Sequence, residues 1–226
     1  MKLSVIMPVY NEERTVAKAV EKVLKQKSVF ELVIVNDGSS DGTEKILKSL
    51  QKKFPKKMKT FKKANGGKGS AVQLGLSKVH GDYTLIQDAD LEYDPADISE
   101  LLRPVKSGKA QVIYGSRFLG PHSNLLFWHR VGNTVLNFLT DILYNTTLSD
   151  METCYKLIPT ELFKSLQMTS SDFCMEPEIT CKILKKKIRI FEVPISYVGR
   201  DFSQGKKMTW QYGFSALWTI ISLRFS

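Results

Sequence analysis

Apolar residues along this chain recur in two alternating rhythms. Leu3 to Val9 is an apolar, β-branched run broken by Pro8, and it predicts a buried strand ending in the loop Val9-Tyr10-Asn11-Glu12-Glu13. Val16, Ala19, Val20, Val23 and Leu24 then fall at helical spacing through about Gln26, with acidic residues ahead of them and lysines toward the end, as a helix dipole prefers. Glu31 to Val35 predicts a second strand, and Asn36 to Gly42 turns out of it into a helix whose N-cap is Ser40 or Asp41. Met58 to Phe61 reads as a third strand, and Asn65-Gly66-Gly67-Lys68-Gly69-Ser70-Ala71 opens a helix lasting to about Val79. Asp82 to Gln87 is a fourth strand, Pro95 suits the first turn of the next helix, and Gln111 to Tyr114 is a fifth strand before Gly115-Ser116-Arg117-Phe118. This alternation predicts an α/β fold with a mostly parallel central sheet flanked by helices. Ligands of such sheets bind at the carboxyl ends of the strands, where Tyr10, Asp37, Asp88 and Arg117 all lie.

The second half has a different texture. From Leu125 to about Tyr144, Trp128, Val131, Val135, Phe138, Leu139 and Ile142 form one helical stripe, with His129, Arg130, Asn133, Asn137 and Asp141 off it. Thr153 to Ile158 reads as extended, Glu176 to Lys186 as helical, and Ile188 to Ile195 as a strand. In the last segment, Lys206 to Phe225, residues Trp210, Phe214, Leu217, Trp218 and Ile221 share a helical face. Both stripes carry tryptophan and basic flanks, which suits either core packing or a helix lying in a lipid headgroup region. No apolar run approaches the ~18 residues a membrane-spanning helix needs. The expected organisation is one domain over residues 1–200, continuous with a C-terminal amphipathic helix at 201–226.

Charge narrows the partners. With 33 Lys and Arg against 23 Asp and Glu, the 226-residue chain has a net charge of +10 and is drawn to polyanions, whether nucleotide, nucleic acid or anionic bilayer. Lys52-Lys53, Lys56-Lys57 and Lys185-Lys186-Lys187 read as solvated faces with some pull toward anionic lipid. No nucleic-acid reading motif accompanies the charge, so nucleic acid is not an expected partner. Cys154, Cys174 and Cys181 form no CxxC pair, which fits reduced, buried thiols in a cytosolic protein. The N-terminus lacks the pattern of a signal peptide.

Candidate chemistry concentrates at Leu85 to Pro95, where an apolar run ends in carboxylates. Asp88 and Asp90, two apart, project to one side if the strand geometry continues, and a hard divalent cation with bound phosphate oxygens uses such a pair. A solvated turn accommodates the same residues. The loop after the first strand lacks a dinucleotide-binding glycine fingerprint, and Gly66-Gly67-Lys68-Gly69 lacks P-loop spacing. That glycine segment is either a flexible helix entry or an anion contact through Lys68 and backbone N–H groups.

Together, Ser4-Val5-Ile6-Met7-Pro8-Val9-Tyr10-Asn11-Glu12, Val35-Asn36-Asp37-Gly38-Ser39-Ser40-Asp41-Gly42-Thr43, Asn65-Gly66-Gly67-Lys68-Gly69 and Asp88-Ala89-Asp90 resemble the family 2 glycosyltransferases of GT-A fold. Gly115 to Phe118, the Arg130 and Asn133 helix, Asp150 to Lys156, and Gly199-Arg200 to Lys207 are similar to the polyprenyl-phosphate branch, the dolichyl-phosphate mannose synthases and their bacterial relatives. The resemblance implies that Pro8, Tyr10, Glu12, Val35 and Asp37 hold the base and ribose of a sugar nucleotide, with Lys68 and Ala89 also at the donor. It implies that Asp88 and Asp90 bind Mg2+ or Mn2+, with Glu92 a third candidate ligand where relatives carry glutamine. Arg200 and Lys206 would clamp the donor phosphates, Arg117 would stand between donor and acceptor phosphates as a catalytic residue with Asp88 and Asp90, and Arg130 and Asn133 would join it at the acceptor phosphate.

The activity implied is metal-dependent, inverting transfer of a hexose from a nucleotide-diphospho-sugar, UDP-glucose or GDP-mannose, to dolichyl or undecaprenyl phosphate. A phosphate monoester, with its second pKa near ~6, is already a nucleophile at neutral pH, so cations matter more than a catalytic base. Asp150 is either a polar turn residue or a base of the kind that alcohol-directed relatives use. Transfer to a hydroxyl acceptor, and a non-catalytic subunit that binds sugar nucleotide or membrane, are the alternative readings. The implied location is peripheral, on the cytoplasmic face of a membrane, with a membrane-anchoring subunit as a candidate partner.

Overall fold

The structure is a computed structural model that describes residues 1–123, 126–200 and 211–226. Its centre is a 7-stranded sheet of order β3-β2-β1-β4-β7-β5-β8. The strands are β1 (Leu3–Val9), β2 (Val29–Asp37), β3 (Met58–Lys63), β4 (Tyr83–Ile86), β5 (Val112–Ser116), β7 (Lys156–Pro159) and β8 (Ile190–Pro194). Two-residue strands β6 (His122–Ser123) and β9 (Tyr197–Val198) pair in parallel beside it. β1 and β2 are buried along nearly their whole lengths, which is why their sequences are continuous apolar runs and not alternations.

The helices are α1 (Val16–Lys25), α2 (Thr43–Lys53), α3 (Lys68–Leu76), α4 (Ile98–Lys106), α5 (Phe127–Tyr144), α6 (Thr160–Ser165), α7 (Met175–Lys185) and α8 (Gln211–Phe225). α3 lies close on β1, since a Cβ added at Gly75 would meet the Ile6 side chain at 2.5 Å. A smaller apolar cluster joins α5, α7 and α8 through Leu136, Cys181, Ala216 and Ile220. All three cysteines are free and buried.

The α/β alternation stands, with differences of detail. β2 extends beyond Glu31–Val35 at both ends, and α3 is shorter than the span from Asn65 to Val79. The cap of α2 is Gly42, one residue past Asp41, whose Oδ1 still accepts from the Thr43 N–H at 3.0 Å. The extended stretch at Thr153 to Ile158 contains β7, which enters the sheet antiparallel to both β4 and β5. Trp210 and Lys206, expected on the last helix, lie outside the described residues, as does Leu125. No described helix is long and apolar enough to cross a membrane.

α5 is packed by its polar side. Asn133, Asn137 and Thr140 are buried, whereas Trp128 is 77%, Phe138 66% and Ile142 62% exposed. The cause is local. Asn137 donates to the Ser149 carbonyl at 2.6 Å and accepts from the Met151 N–H at 2.9 Å, so its amide is the helix's anchor to the following loop. α8 likewise turns Phe214, Trp218 and Phe225 outward.

A buried carboxylate fixes the loop that shapes the start of α3. Glu178 accepts from the N–H groups of Thr169 and Ser170 at 2.8 and 2.7 Å and from Lys182 at 2.6 Å. The Ser171 carbonyl then receives the Ser70 N–H at 3.0 Å. Burial would raise the Glu178 carboxyl, but Lys182 and those backbone donors hold it down at about 2. A depressed acid stabilises fully above its ordinary value of 4.5, and that contribution disappears as pH falls toward about 2. Glu178→Gln is expected to cost about 1–3 kcal/mol at neutral pH, with a smaller difference from the unsubstituted chain at pH 3, read by urea unfolding at both pH values.

Candidate active site

At the carboxyl edge of the sheet the loops enclose one cavity of about 900 Å³. β1 ends in Pro8 and Tyr10 on its wall, followed by Glu12. β2 ends in Asp37, which is buried and gathers the glycine turn. Its carboxylate accepts from Lys63 at 2.7 Å, from the Gly66 N–H at 3.1 Å and from the Gly67 N–H at 2.9 Å. Gly67 has φ +91°, and a Cβ there would lie 2.5 Å from the Ser171 carbonyl oxygen, so glycine is required on both conformational and steric grounds. This turn delivers Lys68 to the cavity floor.

β4 ends one residue before Gln87-Asp88-Ala89-Asp90. Leu91 adopts φ +68°, an uncommon conformation for a side chain of its size, and the Asp90 carboxylate accepts from the Glu92 N–H at 3.1 Å. The tight turn keeps Asp88, Asp90 and Glu92 on the same cavity wall. Burial, then the charges of Asp88 and Glu92, push the Asp90 carboxyl up to about 7 even with Arg200 beside it.

Cations answer these acids in two groups. Lys68 Nζ lies 2.9 Å from Asp88 Oδ1 and 3.4 Å from Glu176 Oε1. Glu176 in turn receives Lys156 at 2.5 Å, and Lys156, fully buried, also donates to the Met151 and Thr153 carbonyls. The result is a row of alternating charge, Asp88, Lys68, Glu176, Lys156, partly exposed at the Asp88 end and buried at the Lys156 end. Arg200 is shared among Glu12 at 3.3 Å, Asp90 at 3.0 Å and Glu92 at 3.6 Å. Glu92 also accepts from the Tyr197 hydroxyl at 2.6 Å and the Arg200 N–H at 2.8 Å.

The far side of the cavity belongs to arginines. Arg117 makes a two-pronged contact with Asp150, Nε to Oδ2 and Nη2 to Oδ1, both at 2.7 Å. Asp150 is fully buried with both oxygens committed to Arg117, so it is neither a solvated turn residue nor a free base. Arg117 and Arg130 each lie over the Phe118 ring, at 5.8 and 5.7 Å from its centroid, which brings the two guanidinium groups to one aromatic face pair. Asn133 on α5 is buried, lines the cavity, and has neither side-chain polar atom hydrogen-bonded among the described residues.

Of the residues singled out in the sequence, Pro8, Tyr10, Glu12, Asp37, Lys68, Asp88, Ala89, Asp90, Glu92, Arg117, Arg130, Asn133 and Arg200 all line this cavity. Val35 is fully buried in β2 and is not among the lining residues, and Lys206 lies outside the described residues. Glu152, Cys154, Glu176 and Tyr197 line it without having been singled out. One local signal was available for this group: a lysine, Lys156, opens the apolar strand Lys156–Pro159, and a buried ammonium demands an acid.

Over residues 4–167 the chain matches the profile of Glycosyl transferase family 2. It is 27% identical over 240 residues to the UDP-N-acetylglucosamine–dolichyl-phosphate N-acetylglucosaminyltransferase of Methanococcus voltae, covering 97% of this chain and 94% of that protein. It is 29% identical over 222 residues to a dolichyl-phosphate beta-glucosyltransferase of Trichomonas vaginalis, covering 90% of this chain and 68% of that one. A low-salt glycan biosynthesis hexosyltransferase of Haloferax volcanii is 29% identical over 205 residues, and there the chain spans 48% of the relative's length. Among solved structures, glucosyl-3-phosphoglycerate synthase from Mycobacterium tuberculosis, in complex with Mn2+, UDP and glucosyl-3-phosphoglycerate, superimposes with a TM-score of 0.76 at 16% identity. That match covers 99% of this chain and 80% of the other, and it establishes the fold.

The charge row makes a direct stability prediction. Removing Lys156 leaves the buried Glu176 with only the more distant Lys68 ammonium, 3.4 Å away, so Lys156→Met is expected to cost about 3 kcal/mol. The double substitution Lys156→Met with Glu176→Gln should be more stable than Lys156→Met alone, as measured by denaturant unfolding of the single and double variants.

Proposed function

The chain belongs to glycosyl transferase family 2, and we propose that this glycosyltransferase moves a hexose from a nucleotide-diphospho-sugar to a polyprenyl phosphate, with a divalent cation at Asp88 and Asp90. The observation that carries the reading is that one cavity holds a carboxylate pair on one side and the Arg117, Arg130 and Asn133 group on the other. The names of the archaeal and protist relatives, which act on dolichyl phosphate, support the acceptor class.

The donor set suits Mg2+ or Mn2+. Asp88 and Asp90 are hard oxygen ligands close enough for the Asp88 charge to raise the Asp90 carboxyl. Among the described residues no group of three or more acid, thiol or imidazole side chains is arranged to hold an ion, so donor phosphate oxygens would complete the coordination. The cation, when bound, would stabilise negative charge on the departing nucleoside diphosphate. Lys68 holds Asp88 in orientation, and Arg200 adds a cation on the Asp90 side. Tyr10, Pro8 and the turn organised by Asp37 form the wall proposed for base and ribose.

On the acceptor side, Arg117 is held rigidly by Asp150, and Arg130 lies near the same Phe118 ring, which puts two guanidinium groups in the neighbourhood proposed for a phosphate dianion. Asn133 offers a donor that has no partner among the described residues. Because both Asp150 oxygens are engaged, an acceptor that arrives already ionised fits better than one needing a base. Direct attack on the anomeric carbon opposite the leaving diphosphate gives inversion. Residues 1–200 would form the catalytic domain.

Access to a bilayer-embedded acceptor is supported by α5 and α8, which pack together through Leu136, Ala216 and Ile220 and expose Trp128, Phe138, Phe214 and Trp218. Tryptophans suit the headgroup level. A peripheral position on the cytoplasmic face, with or without an anchoring subunit, follows from this reading.

Incubation with radiolabelled sugar nucleotide, Mg2+ or Mn2+ and polyprenyl phosphate is expected to yield a lipid-extractable, mild-acid-labile product; no such product from any of UDP-glucose, UDP-N-acetylglucosamine or GDP-mannose would refute the reading. Arg117→Ala and Arg130→Ala should each lower turnover by about 100-fold or more while calorimetric donor binding persists. Trp128→Ala combined with Trp218→Ala should weaken sedimentation with anionic vesicles and leave donor binding intact.

A further inference from the structure

Among the described residues, Glu152 differs from every other acid lining the cavity. Glu12, Asp37, Asp88, Asp90, Glu92 and Glu176 each have a hydrogen-bond or ion-pair partner. Glu152 is partly buried and lines the cavity; among the described residues its Oε1 is out of contact with solvent and has no donor, whereas its other oxygen, Oε2, is not among the buried unpaired atoms. Burial, which outweighs the nearby Lys156, pushes its carboxyl up to about 7. A buried acceptor without a partner is costly and calls for an explanation, and the one available inside a binding cavity is a donor on the ligand.

The position of Glu152 says which part of the ligand that is. It stands two residues after Asp150, which grips Arg117, and two before Cys154, which contacts Asp88. One short stretch thus runs from the arginine side of the cavity to the carboxylate pair, with Glu152 in the middle. Glu152 and Cys154 line the cavity, while Met151 and Thr153 between and beside them are fully buried. The stretch is clamped. Lys156 holds the Met151 and Thr153 carbonyls, Thr153 Oγ1 donates to the Gly115 carbonyl at 2.6 Å, and the Cys154 N–H donates to the Tyr93 hydroxyl at 3.0 Å.

On the proposed reading of the cavity, on which this inference rests, the group lying between donor diphosphate and acceptor phosphate is the transferred sugar. We propose that Glu152 is a specificity-determining residue for the donor sugar, its carboxylate receiving a hydrogen bond from a ring hydroxyl of the hexose. A rigid, desolvated acceptor discriminates strongly against an analogue lacking the hydroxyl, because the acceptor is then left unpaired.

The test compares the unsubstituted protein with Glu152→Gln, which preserves size and shape. Calorimetry with Mn2+ measures binding of UDP, GDP, UDP-glucose, UDP-N-acetylglucosamine, GDP-mannose and the monodeoxy analogues of whichever sugar nucleotide binds most tightly. The expected result is that Glu152→Gln binds the free nucleoside diphosphate as the unsubstituted protein does, and the sugar nucleotide about 10- to 100-fold more weakly. One monodeoxy analogue should show a comparable loss with the unsubstituted protein and little further loss with Glu152→Gln. Equal weakening of nucleoside diphosphate and sugar nucleotide would mean a structural role and overturn the assignment, as would unchanged sugar-nucleotide binding. If the unsubstituted protein binds no sugar nucleotide at all, the proposed function falls as well; the deoxy series on the unsubstituted protein keeps the test independent of how the variant folds.

Discussion

Lys68 stands between Asp88 and Glu176, and Glu176 between Lys68 and Lys156, so that four charges alternate from the cavity wall into the interior. Charges taken out of water in this way are tolerable only when each is paired at short range. The row therefore constrains the backbone that carries it: the end of β4, the first residue of α3, the first turn of α7 and the first residue of β7. These four elements come from widely separated parts of the chain, and none can shift without stranding a charge. The antiparallel insertion of β7 between β4 and β5 places Lys156 and the Glu152 to Cys154 stretch under the carboxylate pair. Asp88 is held in direction by Lys68, which would suit the cation-binding role proposed for it.

A second pairing organises the opposite side. Glu192 on β8 accepts from the Ser149 and Asp150 N–H groups, Asp150 accepts from Arg117, and Arg117 lies beside Phe118 and Arg130. Meanwhile α5 is packed by asparagine and threonine and presents its aromatic residues outward. The same helix thus contributes Asn133 to the cavity and Trp128 to the surface.

Much of this was legible in the chain itself. β1, β2 and β4 are apolar runs because they are buried on both sides, and the polar residues that follow each run mark the edge where ligands bind. Thirteen of the residues named in advance line this cavity, most of them in the loops at the carboxyl ends of parallel strands, where such loops converge. Lys68 reaches it from the start of α3, and Arg130 and Asn133 from α5. Other features were not legible. Asp150 looks like an ordinary polar residue near a strand, and although Lys156 at the head of an apolar strand calls for an acid, nothing local says that the partners are Arg117 and Glu176, each more than fifteen residues away. Glu152 gives no signal in the sequence, since an acid in a loop is usually solvated.

The sequence by itself determined the order and type of most elements, the sheet edge carrying the chemistry and the acid pair at its centre, because hydrophobic period and strand-end residues are local properties. Tertiary structure alone decided the direction of β7, the outward turn of the α5 stripe, the commitment of Asp150 to Arg117 and the isolation of Glu152. Each of these depends on which distant group covers or neutralises a residue. Local periodicity records that a helix has an apolar face; whether that face meets the core or the surroundings is set by what the opposite face binds, and here Asn137 binds the Ser149 and Met151 backbone.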